Sequence, residues 1–161
     1  MSRRPLTGMP SFRDLLVRFD RSSSLLQAPL LLVCRLYWGL AFAQTGWGKL
    51  MNLERTAAFF GELGLPLPTV NAFAAGTVEG LGGVLLALGL LSRPAAAALA
   101  FTMGVAYATA DREALLGLWS NPEAFTGAAP FPFLCASLVV LAFGPGAWSL
   151  DARRHRPATA A

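Results

Sequence analysis

Four long apolar stretches follow one another along this chain, and two of them carry a charged residue in their interior. Arg35 lies within the first stretch and Glu79 within the second. A charged side chain that faces lipid costs at least a few kcal/mol, so such residues usually face the inside of a helix bundle and find partners there. The pattern predicts a membrane protein in which Arg35 and Glu79 meet inside a bundle.

The composition supports a bilayer as the solvent of this chain. Hydrophobic residues make up 55% of the 161 residues and charged residues only 14%, whereas charged residues approach a quarter of an ordinary soluble domain. We therefore predict an all-α fold, a four-helix transmembrane bundle. The net charge of +4 comes from bases at the two ends of the chain, which is a topology signal, so we expect no nucleic-acid partner.

The predicted domain organisation has three parts. Residues 1–24 form a cytoplasmic N-terminal tail with an amphipathic helix at 9–21, residues 25–151 form the four-span domain, and residues 152–161 form a basic cytoplasmic C-terminal tail. The N-terminal tail could equally be disordered. The expected spans are 25–50, 70–91, 95–110 and 131–143, with a short surface helix capped by Asn52 at 52–64 and a polar, aromatic loop at 111–130.

The distribution of Lys and Arg predicts the orientation. The N-terminal tail carries five bases, the turn at 92–94 one and the C-terminal tail three, whereas Lys49, Arg55 and Arg112 lie on the opposite side. Because bases accumulate on the cytoplasmic side, both termini are expected in the cytoplasm.

Two helical stripes are predicted to face each other. Arg35, Gly39, Phe42, Gly46 and Lys49 recur at helical spacing on the first span. On the second span the corresponding stripe contains Ala72, Gly76, Glu79, Gly83 and Leu86. Small residues allow close approach of membrane helices, so Gly39, Gly46, Gly76, Gly80 and Gly83 are the predicted packing positions. Gln44 lies on the opposite side of its helix and suggests a second helix contact.

The charged centre allows two interpretations. A buried Arg–Glu pair can be a purely structural clamp, or it can be a ligand or proton site. The candidate ligand-binding residues are Arg35, Glu79, Tyr107, Trp47 and Lys49. Lys49 and Trp47 are also typical of interface anchors, and Tyr107 of a packing residue with a satisfied hydroxyl.

Ligands for a tightly held cofactor are scarce in this sequence. The two cysteines, Cys34 and Cys135, are far apart, and the single histidine, His155, lies in the basic tail. We therefore predict no catalytic residue, no metal site and no cofactor bound by this chain alone.

Several segments in a fixed order resemble the DoxX family of small bacterial membrane proteins. They are GWGKL at 46–50, AFFGELGLPLP at 58–68, EGLGG at 79–83 and GPGAWSLD at 144–151, and the similarity extends over about residues 30–151. Many relatives have His or Ser where Thr45 stands. The resemblance implies a four-span bundle in the bacterial inner membrane.

The resemblance also limits the candidate functions. The family includes a membrane subunit of a thiosulfate:quinone oxidoreductase and a membrane partner of redox-stress enzymes. It therefore implies a membrane subunit of an oxidoreductase or redox-stress complex, with quinone as the candidate ligand and a soluble or membrane oxidoreductase as partner. The alternative is a small membrane protein for binding or transport, with a structural Arg–Glu pair and no redox role.

Overall fold

The computed structural model describes residues 12–154, and this part of the chain is helical without any strand. The predictions for residues 1–11 and 155–161 lie outside the described residues. The helices in chain order are α1 Phe12–Met51, α2 Leu53–Glu62, α3 Pro68–Leu88, α4 Ser92–Thr109, α5 Arg112–Leu116, α6 Pro122–Gly127, α7 Pro130–Phe143 and α8 Leu150–Arg154.

Helix α1 is longer than the first predicted span. It runs for 40 residues with Pro29 inside it, so the amphipathic segment predicted at 9–21 and the first span form one continuous helix from Phe12 onward. The helix is unbroken at the predicted boundary after residue 24, and its apolar part begins at Leu25. Proline is tolerated here because neighbouring groups in membrane helices compensate for the missing N–H.

The connector helix predicted at 52–64 is present as α2, with one difference at its start. The Asn52 side chain does not cap α2. It donates instead to the carbonyl of Gly48, at 2.9 Å. The helix ends before Gly64, whose φ of +73° suits a residue without Cβ, and Pro66 follows.

Helices α3 and α4 form a tight hairpin. Leu90 N donates to Leu85 O at 2.9 Å and Gly89 N to Leu86 O at 3.1 Å, the bond pattern of a Schellman motif around the left-handed Gly89. These bonds satisfy the last carbonyls of α3, and α4 starts only three residues later.

A single apolar core lies between α1, α3, α4 and α7. It contains Phe42, Leu86, Ala96, Leu99, Met103 and Val140. Helix α1 packs mainly on α3 and α4 mainly on α7, while α2 lies on α3. The segment predicted as a loop at 111–130 contains the short helices α5 and α6.

Two helices of the described part are long and apolar enough to cross a membrane, at Leu25–Met51 and Pro68–Leu88. Helix α4 has 18 residues and α7 has 14, fewer than the roughly 20 that usually cross the hydrocarbon core. The observed architecture is therefore an all-α bundle with two clear candidate spans.

Candidate functional site

Glycine contacts fix the position of α1 relative to α3. A Cβ on Gly46 would lie 2.6 Å from the carbonyl oxygen of Gly76, and a Cβ on Gly83 would lie 2.6 Å from that of Gly39. The two helices therefore run antiparallel with their backbones in direct contact, as small residues permit. Both predicted stripes face the bundle interior: they are buried throughout except for the partly exposed Lys49.

Two of the predicted packing glycines behave differently from Gly46 and Gly83. A Cβ on Gly76 would meet the Leu50 side chain at 2.9 Å, whereas one on Gly80 would meet nothing closer than 4.0 Å. Gly46 therefore packs against the backbone of Gly80. A larger side chain at Gly80 itself would not collide with α1.

The predicted pairing of Arg35 with Glu79 is wrong. In this antiparallel arrangement Arg35 lies beside Gly89, where its guanidinium fills the space next to the glycine. Glu79 lies ten residues before Gly89, about 15 Å away along the helix. The guanidinium cannot span that axial distance, because Arg35 lies level with the C-terminal end of α3 and Glu79 lies in the middle of that helix.

Glu79 is paired with Lys49 instead, in an ion pair with a hydrogen bond. The Glu79 side chain is 2% exposed and that of Lys49 is 29% exposed. Side chains on a helix point toward its N-terminus, so the Lys49 ammonium reaches back to the level of Glu79. The pair joins α1 to α3 through groups that the sequence had placed on the two facing stripes.

The Lys49–Glu79 pair lies in the wall of a cavity of about 690 Å³. Helices α1, α2, α3, α4 and α7 contribute to the lining, which is mostly apolar. Prominent lining residues are Thr45, Phe59, Phe60, Val78, Met103 and Phe133. An apolar space with one charged pair in its wall can hold a molecule that has an apolar body and a polar head.

Three of the five predicted ligand-binding residues, Arg35, Tyr107 and Trp47, do not line this cavity. Tyr107 is buried, but its hydroxyl donates to the carbonyl oxygen of Phe125 at 2.7 Å and its ring stacks on the Phe125 ring at 4.7 Å. Trp47 is 63% exposed on the outer surface of α1. Asn71, Thr102 and Asp111, which the sequence did not single out, are in the cavity lining.

Arg35 is bound at the other end of the α1–α3 contact. It is 1% exposed, and its Nη2 donates to the carbonyl oxygen of Trp148 at 3.0 Å. Its Nε and Nη1 have no hydrogen-bond partner within the described residues, and the nearby charge of Asp151 attracts the guanidinium. Arg35 therefore holds the C-terminal segment against the bundle.

Asp151 links this segment to the start of α4. Its carboxylate accepts from Leu91 N, Ser92 N and Ser92 Oγ, each at 2.9 Å, and its own N–H donates to Gly89 O at 2.9 Å. Burial raises the pKa of Asp151, but the hydrogen bonds from Ser92 and Leu91 and the charge of Arg154 outweigh it. The net pKa lies below the ordinary value, so the residue is ionised at neutral pH.

The sequence contained signals for both pairings. Asp151 is the last residue of the GPGAWSLD segment, which contributes the partners of Arg35. Lys49 and Glu79 lay on the two predicted stripes. Which residues of the two helices are level with each other depends on the glycine contacts between the helices, and the residue spacing within one helix does not define those contacts. In the described part of the chain no group of three or more His, Cys, Asp or Glu residues could hold a metal ion.

Comparison with known proteins points to one family. The family model DoxX matches residues 30–112. The uncharacterized membrane protein Rv3486 of Mycobacterium tuberculosis is 35% identical over 82% of this chain and 85% of its own length. The inner membrane protein YphA of Escherichia coli is 31% identical over 77% of this chain and 89% of its own length.

A third relative has a shorter match. The Bacillus subtilis protein named "Putative oxidoreductase CatD" is 35% identical over 45% of this chain and 52% of its own length. No solved structure matches the chain.

Proposed function

Since this chain belongs to the DoxX family of membrane proteins, we propose that it is an integral membrane subunit that binds a quinone, or a lipid-like molecule with a similar polar head, for a separate oxidoreductase. The cavity beside Lys49 and Glu79 is the binding site. The single observation that carries the proposal is the ion pair between a 2% exposed carboxylate and Lys49 in the wall of an apolar cavity.

The size and lining of the cavity suit such a ligand. Its volume of about 690 Å³ lies within the range of roughly 300–1,000 Å³ that is typical of small-molecule sites. Aromatic and aliphatic side chains such as Phe59, Phe133 and Met103 offer contact to a ring or an isoprenoid chain. Lys49 and Glu79 form the ion pair in this lining, which also contains the polar residues Asn71, Thr102 and Asp111.

Lys49 and Glu79 have different roles toward the polar head of the ligand. The ammonium of Lys49 can donate a hydrogen bond to a carbonyl oxygen of the ligand, and the carboxylate of Glu79 can accept and release a proton. Lys49 thus takes the place of Arg35, which the sequence offered as a ligand-binding residue but which lies outside the cavity lining and donates from Nη2 to the Trp148 carbonyl oxygen.

In this proposal the electrons for a quinone come from a partner, and the described residues at the cavity serve binding and proton transfer. The relative named "Putative oxidoreductase CatD" supports a partnership with redox enzymes. The partner docks at the membrane surface and the small subunit presents the ligand to it.

The proposed setting is the bacterial inner membrane, with four spans and both termini in the cytoplasm. The relative named as an inner membrane protein and the distribution of bases support this arrangement. Helices α4 and α7 then cross the bilayer as short spans beside α1 and α3, with local thinning of the lipid.

Binding of a quinone analogue to the purified protein in lipid nanodiscs tests the proposal. We expect saturable binding, and Glu79→Gln should weaken it about tenfold or more, because a charged hydrogen-bonding group is lost from a buried site. Glu123→Gln, at an exposed position on α6, is the matched control and should bind like the unmodified protein.

Two results together would contradict the proposal. The unmodified protein would bind no quinone analogue, and Glu79→Gln would fail to accumulate in the membrane. The Lys49–Glu79 pair would then be a structural clamp, and the alternative of a small binding or transport protein without a redox role would be favoured.

A further inference from the structure

The outer surface of α1 carries a regular stripe of exposed residues. Leu30, Val33, Tyr37, Leu40, Gln44 and Trp47 are all exposed, and they follow one another at alternating intervals of three and four. This spacing is the heptad pattern by which two helices pack along a shared seam. The stripe faces away from the cavity, since none of its residues is in the cavity lining.

Gln44 is the unusual member of this stripe. Its side chain is exposed, and its amide makes no hydrogen bond to any other residue within 12–154. It lies seven residues before Met51, about 10 Å from that end of the candidate span at Leu25–Met51. The candidate span is about 40 Å long, so Gln44 lies only about 6 Å inside a centred hydrocarbon core of about 30 Å. Its amide has two donors and an acceptor, and a polar side chain on a neighbouring helix would satisfy them there.

We propose that this face of α1 is the contact surface between two copies of the chain, with Gln44 of each copy hydrogen-bonded to Gln44 of the other. Both copies enter the membrane in the same direction, so a two-fold axis along the membrane normal brings the same residue of each copy to the same depth. An amide is both donor and acceptor, which makes it complementary to itself. A different partner protein would need its own polar group at this depth.

The residues around Gln44 allow close approach. Ala41 and Gly48 lie one turn before and after it on the same face, and a Cβ on Gly48 would meet nothing within 4 Å. Small residues beside a polar one are typical of helix contacts inside membranes. From Leu30 to Trp47 the stripe contains no charged residue, so two identical faces meet without repulsion.

Energy transfer between donor-labelled and acceptor-labelled copies of the full chain in lipid vesicles tests this inference. The unmodified protein should associate as a dimer at low protein-to-lipid ratios. Gln44→Leu should weaken association by about 3- to 30-fold, the range expected for one interhelical hydrogen bond in a membrane. Gly48→Ile should abolish it, because the added side chain separates the two backbones.

The chain offers a matched control for the glycine substitution. Gly104 on α4 also has nothing within 4 Å of an added Cβ, so Gly104→Ile adds the same bulk on another helix and should leave association unchanged. The inference is overturned if the unmodified protein is monomeric, including the case in which it associates only with a different protein. It is equally overturned if Gly48→Ile dimerises normally, or if Gly104→Ile alone breaks the dimer.

Discussion

Removing Lys49 and removing Glu79 should destabilise the protein by different amounts. Glu79 is almost fully buried and has a short side chain, whereas Lys49 is partly exposed near the end of α1. Without Glu79, the long lysine side chain can extend toward the membrane surface. Without Lys49, the Glu79 carboxylate stays in an apolar wall. The free-energy cost of breaking the pair therefore depends on which partner is removed.

A double-mutant cycle measures this difference. We expect Lys49→Met to destabilise the protein by about 3 kcal/mol or more, since it leaves an uncompensated buried charge. Glu79→Leu should cost less, and the double variant less than Lys49→Met alone. The measurement is reversible unfolding in mixed micelles. If the double variant lost the sum of the two single losses, the two side chains would not be coupled.

Burial of single residues could be predicted from the sequence, but their partners could not. The stripes containing Arg35 and Glu79 were correctly predicted to face inward, because helical spacing alone determines which residues share a face. The Arg35–Glu79 pairing depended on the axial offset of two helices, and that offset comes from tertiary contacts of Gly46 and Gly83. Asp151 was missed because its partners, two backbone amides and the Ser92 hydroxyl, lie at the α3–α4 turn, far away in the sequence.

At the scale of elements, the segment from Gly144 to Arg154 closes one end of the bundle. Arg35 on α1 binds the Trp148 carbonyl, and Asp151 binds the first amides of α4. The carboxylate takes the place of an N-cap that α4 itself lacks, since Leu91 offers no side-chain acceptor. A short C-terminal segment thus joins α1, α3 and α4.

Replacement of Asp151 should loosen this end of the bundle. Asp151→Ala should cost about 0.5–2 kcal/mol, the usual effect of losing a helix cap, and should expose the C-terminal segment to limited proteolysis. Because the pKa of Asp151 is lowered in the folded protein, its contribution is present above its ordinary pKa of 3.8 and is lost as pH falls below that value.

Asp151→Asn isolates the effect of the charge. Its melting temperature should change less than that of the unmodified protein between pH 7 and pH 3, with Glu123→Gln as the control for loss of an exposed carboxylate. Equal pH dependence in Asp151→Asn and the unmodified protein would show that the carboxylate is not the titrating group.

The elements themselves were predicted with unequal success. The α2 segment was predicted well, because Gly64 and Pro66 mark its end locally. The turn predicted at 92–94 is wrong, because these residues form the first turn of α4 and the break between α3 and α4 lies at 89–91, around the left-handed Gly89. The first span was predicted to begin at residue 25, where the apolar part of α1 begins, but its continuation from the preceding segment as one helix was missed because no local signal ends a helix between them. Helices α5 and α6 were missed because each is only five or six residues long and too short for a periodic pattern.

At the scale of the whole molecule, two clusters of polar groups lie at different positions along the helix axes. One end of the bundle holds Arg35, Asp151 and Ser92, while the Lys49–Glu79 pair lies about 15 Å further along the helices. Helix α1, at 40 residues, is about 60 Å long, twice the thickness of the hydrocarbon core. Helix α1 is therefore longer than one crossing of the hydrocarbon core requires.

Reporter fusions test the proposed orientation of the whole chain. A fluorescent protein that folds only in the cytoplasm should be bright when fused to the C-terminus, and a periplasmic phosphatase should be active when inserted after Asn121 in the segment between α5 and α6. The physical reason is the distribution of bases: the proposed orientation puts Arg93, Arg153 and Arg154 on the cytoplasmic side with the bases of the N-terminal tail, and Arg112 on the other side. Four crossings return the chain to the side where it began. If the phosphatase were instead active at the C-terminus, the number of crossings would be odd, and the shortest span, the 14-residue α7, would be the helix that does not cross.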